Sequence, residues 1–185
     1  MASTAADPAG YPRELDRLAT LRDGTRVQLR PIRPEDQARL IELYDRLSRH
    51  SAYQRFFTVM RRLPPDWAKL LATVDYRRRL ALVAEHAGPH GRELVGVGRY
   101  EPTGREDTAE VAFVVQDGWQ NRGLGTLLFL GVLDAAVARG IRRFVAYILA
   151  DNSRMLDLIR RYTDTEQRKL EQGVVEILFT ARPGR

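Results

Sequence analysis

The sequence predicts one α/β (α+β) domain, a mixed central sheet with helices packed against it. Three observations carry this expectation. The chain has 185 residues, and domains cluster at roughly 100–200 residues. Segments of two-residue apolar period alternate with segments of helical period, ending in the order strands, helix, strand, helix, strand. The helix that begins near residue 125, after a glycine-bearing loop, is apolar nearly all round and is therefore expected to be mostly buried.

Taken in order, Thr25, Val27 and Leu29 alternate with Arg26, Gln28 and Arg30, a period-two strand preceded by the turn signal Asp23-Gly24. Pro34-Glu35-Asp36 opens a helix with acidic residues in its first turn, where the helix dipole favours them; Leu40, Ile41, Tyr44 and Leu47 are its apolar stripe. A second helical stretch runs through Tyr53, Phe56 and Phe57, and Pro64-Pro65 ends it and starts a short helix over 66–73. Residues 80–84 and 93–100 are strands, paired antiparallel across a turn marked by Gly88, Pro89 and Gly91. Residues 108–116 form a longer strand with Val111, Phe113 and Val115 on one face and Glu110, Ala112 and Val114 on the other. The buried helix over 125–139 stops at Gly140. A strand over 143–149, a helix over 153–162 and a strand over 174–180 follow. Residues 1–10 are mostly small residues with a proline and read as a disordered tail, leaving 11–185 as the domain. No internal repeat and no second domain is visible.

The chain is 44% hydrophobic and 29% charged, enough for a self-sufficient core. It has no cysteine, which excludes a disulfide scaffold, a thiolate-ligated metal and a cysteine nucleophile. Imidazole comes only from His50, His86 and His90, and two of these share one Gly/Pro-containing stretch, so no metal site is expected. No apolar run approaches the ~20 residues that span a bilayer, and the first residues lack the basic start and apolar block of a secretory signal. A soluble cytoplasmic protein without membrane contact is the expectation. The net charge is +6, and 28 of the 30 basic residues are arginine, the better residue for planar, bidentate grips on phosphate or carboxylate. Such a surface suits nucleic acid, a phosphorylated cofactor or an acidic protein partner. No RNA or DNA module is recognisable, so nucleic acid is not expected.

The chemically informative segment is Gln120-Asn121-Arg122-Gly123-Leu124-Gly125-Thr126, between a strand and the buried helix. Two glycines let backbone approach a ligand closely, and the start of a helix presents unpaired N–H groups at the positive end of its dipole. Successive inward N–H groups form an anion-binding concavity, and Arg122 adds a side-chain charge. A diphosphate suits such a loop; an ordinary glycine-rich strand-to-helix turn is the other reading. The segment is not the dinucleotide fingerprint, because Leu128 stands where a third glycine belongs, nor a P-loop, because no Gly-Lys-Ser/Thr follows.

Gln120-x-x-Gly123-x-Gly125, in its setting of strand, loop, buried helix, strand and short helix, resembles the pyrophosphate loop of the GNAT family of N-acetyltransferases. Further segments narrow the likeness. Tyr11-Pro12, Leu21-Arg22-Asp23-Gly24-Thr25 and Arg30-Pro31-Ile32-Arg33-Pro34-Glu35-Asp36 look like the bacterial protein lysine acetyltransferases that modify acyl-CoA synthetases. Ser48-x-x-Ser51-x-Tyr53-x-Arg55-Phe56-Phe57, and Val74-Asp75-Tyr76 followed by Ala81-Leu82-Val83-Ala84, fit the same group, although Tyr53, Phe56 and Phe57 also read as core aromatics at helical spacing. The similarity spans residues 11 to 180. It implies a GNAT-type domain with helices on both faces of a sheet, in which two neighbouring parallel strands, 110–115 and 143–149, splay apart to admit acetyl-CoA. It also implies that backbone at Val114 and Val115 pairs with the pantetheine arm, that Gln120 through Thr126 hold the pyrophosphate, and that Asn152 lies near the arm. Two departures stand out: Arg77-Arg78-Arg79 where relatives often have acidic residues, and Tyr162-Thr163 in place of the usual Gly-Phe.

Acetyl transfer to an amine needs a neutral amine, aligned reactants and a stabilised oxyanion, for which backbone N–H groups near Val115 are candidates. A free lysine amine has a pKa of about 10.4, so a general base contributes roughly 10²–10⁴-fold. Glu110 is the expected base, the only carboxylate in an otherwise apolar strand, where burial would raise its pKa. The resemblance likewise implies a glutamate base on this strand; a strand-end carboxylate meeting solvent or an arginine is the other reading. Where many relatives carry a tyrosine that protonates the departing thiolate, this chain has Ile159, with Tyr162 three residues on. The expectation is an N-acetyltransferase using acetyl-CoA and no metal, acting on a protein lysine with an acyl-CoA synthetase as partner, as monomer or homodimer. A small amine or polyamine acceptor, and a non-catalytic acyl-CoA-binding module, stay open.

Overall fold

Among residues 7–88 and 91–183, which the computed structural model describes, the chain begins β1 (Arg17–Thr20), β2 (Arg26–Pro31), α1 (Gln37–Asp45), α2 (Arg49–Phe56), α3 (Pro65–Ala72), β3 (Leu80–Gly88) and β4 (Gly91–Pro102). It continues β5 (Thr108–Val115), α4 (Leu124–Val137), β6 (Arg143–Leu149), α5 (Ser153–Tyr162), β7 (Thr163–Glu171) and β8 (Val174–Ala181). The strands form one mixed sheet in the order β1-β2-β3-β4-β5-β6-β8-β7. Only β5 and β6 are parallel, and α4 supplies the crossover that a parallel pair requires.

The pleat of β3 sorts the interior into two cores. Leu80, Leu82 and Ala84 join Leu128, Phe129 and Val132 of α4. Ala81 and Val83, on the opposite face, join Leu40 and Leu43 of α1 and Ala68 of α3. Helices therefore cover both faces, and α4 is mostly buried, with Leu124, Leu128, Phe129, Val132, Leu133 and Ala136 in the core. Close packing of α4 needs small residues beneath it. A Cβ on Gly98 of β4 would stand 2.7 Å from the Phe113 ring and 3.1 Å from Val132. Gly98→Val is accordingly expected to destabilise the fold by about 1–3 kcal/mol through overpacking, read as a lowered urea midpoint.

The Arg30–Asp36 segment is a buried ionic staple. Arg30 donates to both oxygens of Asp36, at 2.7 and 2.8 Å, and to Glu85 at 2.8 Å. Glu85 also accepts from Arg39 and Arg92. Burial opposes the Glu85 charge, but the three guanidinium groups outweigh it and hold its pKa below the ordinary carboxylate value. A folded-state pKa below the unfolded one gives stability that is present above pH about 4.3 and lost as pH falls through the folded value. Acid unfolding followed by circular dichroism should therefore show a steeper loss below that pH for the parent than for Glu85→Gln.

Two edge strands escaped sequence reading. β1 and β7 are almost wholly exposed, so neither carries the apolar alternation that reveals a strand. For β7 the one local signal is Gln172-Gly173, both in the left-handed region, which makes a tight hairpin into β8. The region after α5 thus contains an additional strand where none was expected. Of the expected tail, residues 1–6 lie outside the described residues, as does Pro89 of the β3–β4 turn; Asp7 is held by Arg13 and Arg33. No helix among the described residues is long and apolar enough to cross a membrane.

Candidate functional site

β5 and β6 pair only where Thr108, Ala109 and Glu110 stand opposite Arg143, Phe144 and Val145. Beyond Glu110 the strands continue to Val115 and Leu149 without pairing to each other. Each keeps its outer neighbour instead, β5 on β4 and β6 on β8. The inner edge of β5 past Glu110 therefore carries backbone groups with no strand beside them, and such groups call for a partner.

Two cavities open along this gap. One, of about 310 Å³, extends from Val114 and Val115 to Gln120, Gly125 and Thr126 at the start of α4. The other, of about 570 Å³, has Glu110, Tyr147 and Phe57 in its wall. They meet at Gln54, Arg55, Phe113, Asn152 and Met155, which line both.

The glycine loop is shaped by Asn121 at φ 62° and Gly123 at φ 91°, the latter directly before α4. No side chain caps α4, so its first N–H groups are left for a ligand. The space before Gly125 is clear: a Cβ there would approach only Val115, at 4.0 Å. Asn121, Gly123, Gly125 and Thr126 all face the first cavity.

Two loop side chains do not. Leu124 is fully buried in the core, as the first apolar residue of a helix packed on a sheet must be, so only its backbone belongs to the loop. Arg122 turns to Asp23, at 3.1 Å, and lies over the Trp119 ring at 5.0 Å. The cations along the first cavity are instead Arg22, Arg55 and Arg154. Their positions in the chain, far from the loop, gave no sign of this.

Gln120 braces the site. Its amide donates to the Val115 carbonyl at 3.0 Å and to Ser51 Oγ at 3.1 Å, and its oxygen accepts from Arg154. Nearby, Asp117 accepts from the Ser48 N–H at 2.9 Å, Ser48 Oγ at 2.7 Å and Ser51 Oγ at 2.8 Å. Burial opposes the Asp117 charge, but these bonds hold its pKa below the ordinary value. Ser48 also caps α2 by accepting from the Ser51 N–H. The Ser48-x-x-Ser51 spacing thereby bolts α2 to the segment entering the loop, and α2 carries Arg55 to the junction of the cavities.

From α5, Asn152 caps the helix by accepting from the Met155 N–H at 3.2 Å while lining both cavities. Ile159 is buried, and Tyr162 packs on the core; neither lines these cavities. Tyr147 of β6 is the tyrosine that does, in the second cavity alone, with its pKa raised by burial and then by Glu176 and Glu110.

Glu110 is the last β5 residue paired with β6. It keeps an exposed surface in the second cavity and forms no hydrogen bond or ion pair among the described residues. Burial against its neighbours raises its pKa; Arg55 pulls the other way, and Glu101, opposite on β4, adds to the rise. A carboxylate of this kind can take a proton from a nucleophile held beside a phosphorylated ligand in the first cavity.

A profile of the family described as acetyltransferase (GNAT) domain matches residues 26–162. An acetyltransferase of Pseudomonas aeruginosa is 33% identical over 140 residues, which is 75% of this chain and 75% of that protein. Acetyltransferase Pat of Mycolicibacterium smegmatis is 33% identical over 146 residues, 76% of this chain, and the chain spans only 42% of that relative's length. Among solved structures, the GNAT domain of S. lividans PAT superimposes with a TM-score of 0.82 at 34% identity, covering 92% of this chain and 99% of that one.

Proposed function

The chain belongs to the GNAT acetyltransferase family, as an acetyl-CoA-dependent N-acetyltransferase, and from that premise we propose that its acceptor is a lysine side chain of a protein such as an acyl-CoA synthetase, with Glu110 as general base. The observation that carries this reading is the parting of β5 and β6 immediately past Glu110. It sets an unpaired carboxylate at one end of a gap whose other end is the uncapped start of α4.

Acetyl-CoA supplies an activated thioester. The residues present suit its pyrophosphate: free N–H groups at Gly125 and Thr126, clear space before Gly125, and Arg22 and Arg154 alongside. Asn121, Arg122, Gly123 and Leu124 contribute backbone to that cradle, and Gln120 holds it to β5. Val114 and Val115 offer their edge to the pantetheine arm, with Asn152 across the cavity.

At the other end, Glu110 accepts the proton of the amine, directly or through a water, as the nitrogen attacks. Phe57 and Tyr147, 38% and 44% exposed, give the second cavity an aromatic rim of the kind that protein surfaces use to bind one another. Glu110 is the only carboxylate among the residues lining the two cavities, whereas a polyamine would call for several. The Ser48–Phe57 and Arg30–Asp36 segments and the likeness to the PAT domain support the protein acceptor.

The test is the intact mass of an AMP-forming acetyl-CoA synthetase after incubation with this protein and acetyl-CoA. A gain of an acetyl group is expected. An unmodified synthetase, with acetyl-CoA consumed only when small amines are added, would replace the protein acceptor by a small one.

A further inference from the structure

Arg55 is the only cation that lines both cavities. Its guanidinium lies 4.8 Å from the Phe56 ring and makes no hydrogen bond or ion pair among the described residues. Burial is the largest influence on it and lowers its pKa to about 10, which leaves it charged at neutral pH. The side chain is half-buried and its guanidinium opens onto the cavities, so its donors are left for water or a ligand rather than for protein partners. The neighbours do not satisfy it. Arg99 and Arg79, from β4 and the turn before β3, are both committed to Glu101, and Glu110 shares the cavity without pairing.

Resting on the acetyl-CoA reading above, we propose that Arg55 is a further catalytic residue: its guanidinium stabilises the negative charge that passes from the tetrahedral oxyanion to the departing sulfur of coenzyme A. The chemistry has a place for it. The amine nitrogen forms a bond to the thioester carbon and the carbonyl pair moves to oxygen, while the amine proton goes to Glu110. The oxygen pair then returns, the C–S bond breaks, and sulfur leaves with its pair as a thiolate that solvent later protonates. Each stage puts an anion where the two cavities meet. The tyrosine of α5, Tyr162, packs on the core and lines neither cavity, and Tyr147 lines only the acceptor side. Desolvation makes an unpaired cation more effective there, and a neighbouring arginine is a known way to favour thiolate over thiol. An Arg55–Glu110 ion pair would disable both groups; among the described residues the two feel each other's charge without pairing.

The first readout needs no acceptor. Bound coenzyme A is titrated by the ultraviolet absorbance of its thiolate, as the difference between loaded and free protein, with affinity followed by calorimetry. The other charged or titratable groups lining the cavities are Glu110, Tyr147, Arg22 and Arg154, with Arg99 and Glu101 also acting on Arg55, so Glu110→Gln and Tyr147→Phe are titrated in parallel. In the parent the bound thiol should titrate at least about one unit below free coenzyme A measured alongside. Arg55→Gln should return it to that value and lower turnover on the order of 10²-fold with coenzyme A still bound. Arg55→Lys, which keeps a charge but not the planar fork, should fall between, and it serves alone if Arg55→Gln does not fold. An ordinary thiol pKa in the parent, or a depressed one unchanged by the Arg55 variants, overturns the proposal. Failure of the parent to bind coenzyme A overturns the acetyl-CoA reading itself.

Discussion

Glu110→Gln is expected to lose turnover by roughly 10²–10⁴-fold while binding acetyl-CoA as the parent does. The carboxylate lines the second cavity, away from the loop at the start of α4, so affinity measured by calorimetry should hardly move. The pH profile is the sharper readout. A base must be ionised to act, and burial raises the Glu110 pKa. The acid limb of kcat/KM should therefore lie above the ordinary carboxylate value of about 4.3 in the parent and vanish in the variant. The deficit should be greatest near neutral pH and shrink at high pH, where more of the amine is already neutral. Stability gives an independent check. A carboxylate whose folded pKa is raised disfavours the folded state when ionised, so the variant should melt no lower than the parent. Equal rates for both proteins would remove Glu110 from the chemistry.

Gly125→Asp should weaken coenzyme A binding by about 10²-fold or more, since opposed like charges cost several kcal/mol and about 1.4 kcal/mol is tenfold in affinity. The substitution separates binding from folding unusually well. There is room for the side chain, with Val115 at 4.0 Å from the new Cβ. An acidic residue in the first turn of α4 also suits the helix dipole. Thermal stability should thus be unchanged or higher as affinity collapses. Gly123→Ala would weaken binding for a different reason, because φ is 91° there, a backbone conformation that a side chain strains; its stability should fall too. Parental affinity in Gly125→Asp would remove the pyrophosphate from the loop.

Much of this molecule is legible in its local pattern. The strand over β2, the paired strands β3 and β4, the whole of β6 and α5, and the buried character of α4 follow from apolar period and turn residues. Such signals arise within a few residues of one another. The glycine loop was legible for the same reason, because a left-handed Gly123 before a helix is a local requirement. The exposed strand β7 was not: a strand that buries neither face has no apolar period to show, and its place at the sheet edge is decided by the ladder to β8.

The sequence by itself determined the sheet-and-helix class, the glycine-bearing loop before α4 and the lone carboxylate of β5, since each depends on residue type and short spacing. Only the tertiary structure decided what surrounds them. Ser51 meets Asp117 across 66 positions of chain and Gln120 meets Arg154 across 34. Arg122, beside the glycines in sequence, turns away to Asp23, while Arg22, Arg55 and Arg154 arrive from distant segments to line the cavity. Charge can be counted along a chain, but its direction is set by packing: each guanidinium goes where the folded backbone leaves it a carboxylate, a ring or an open cleft.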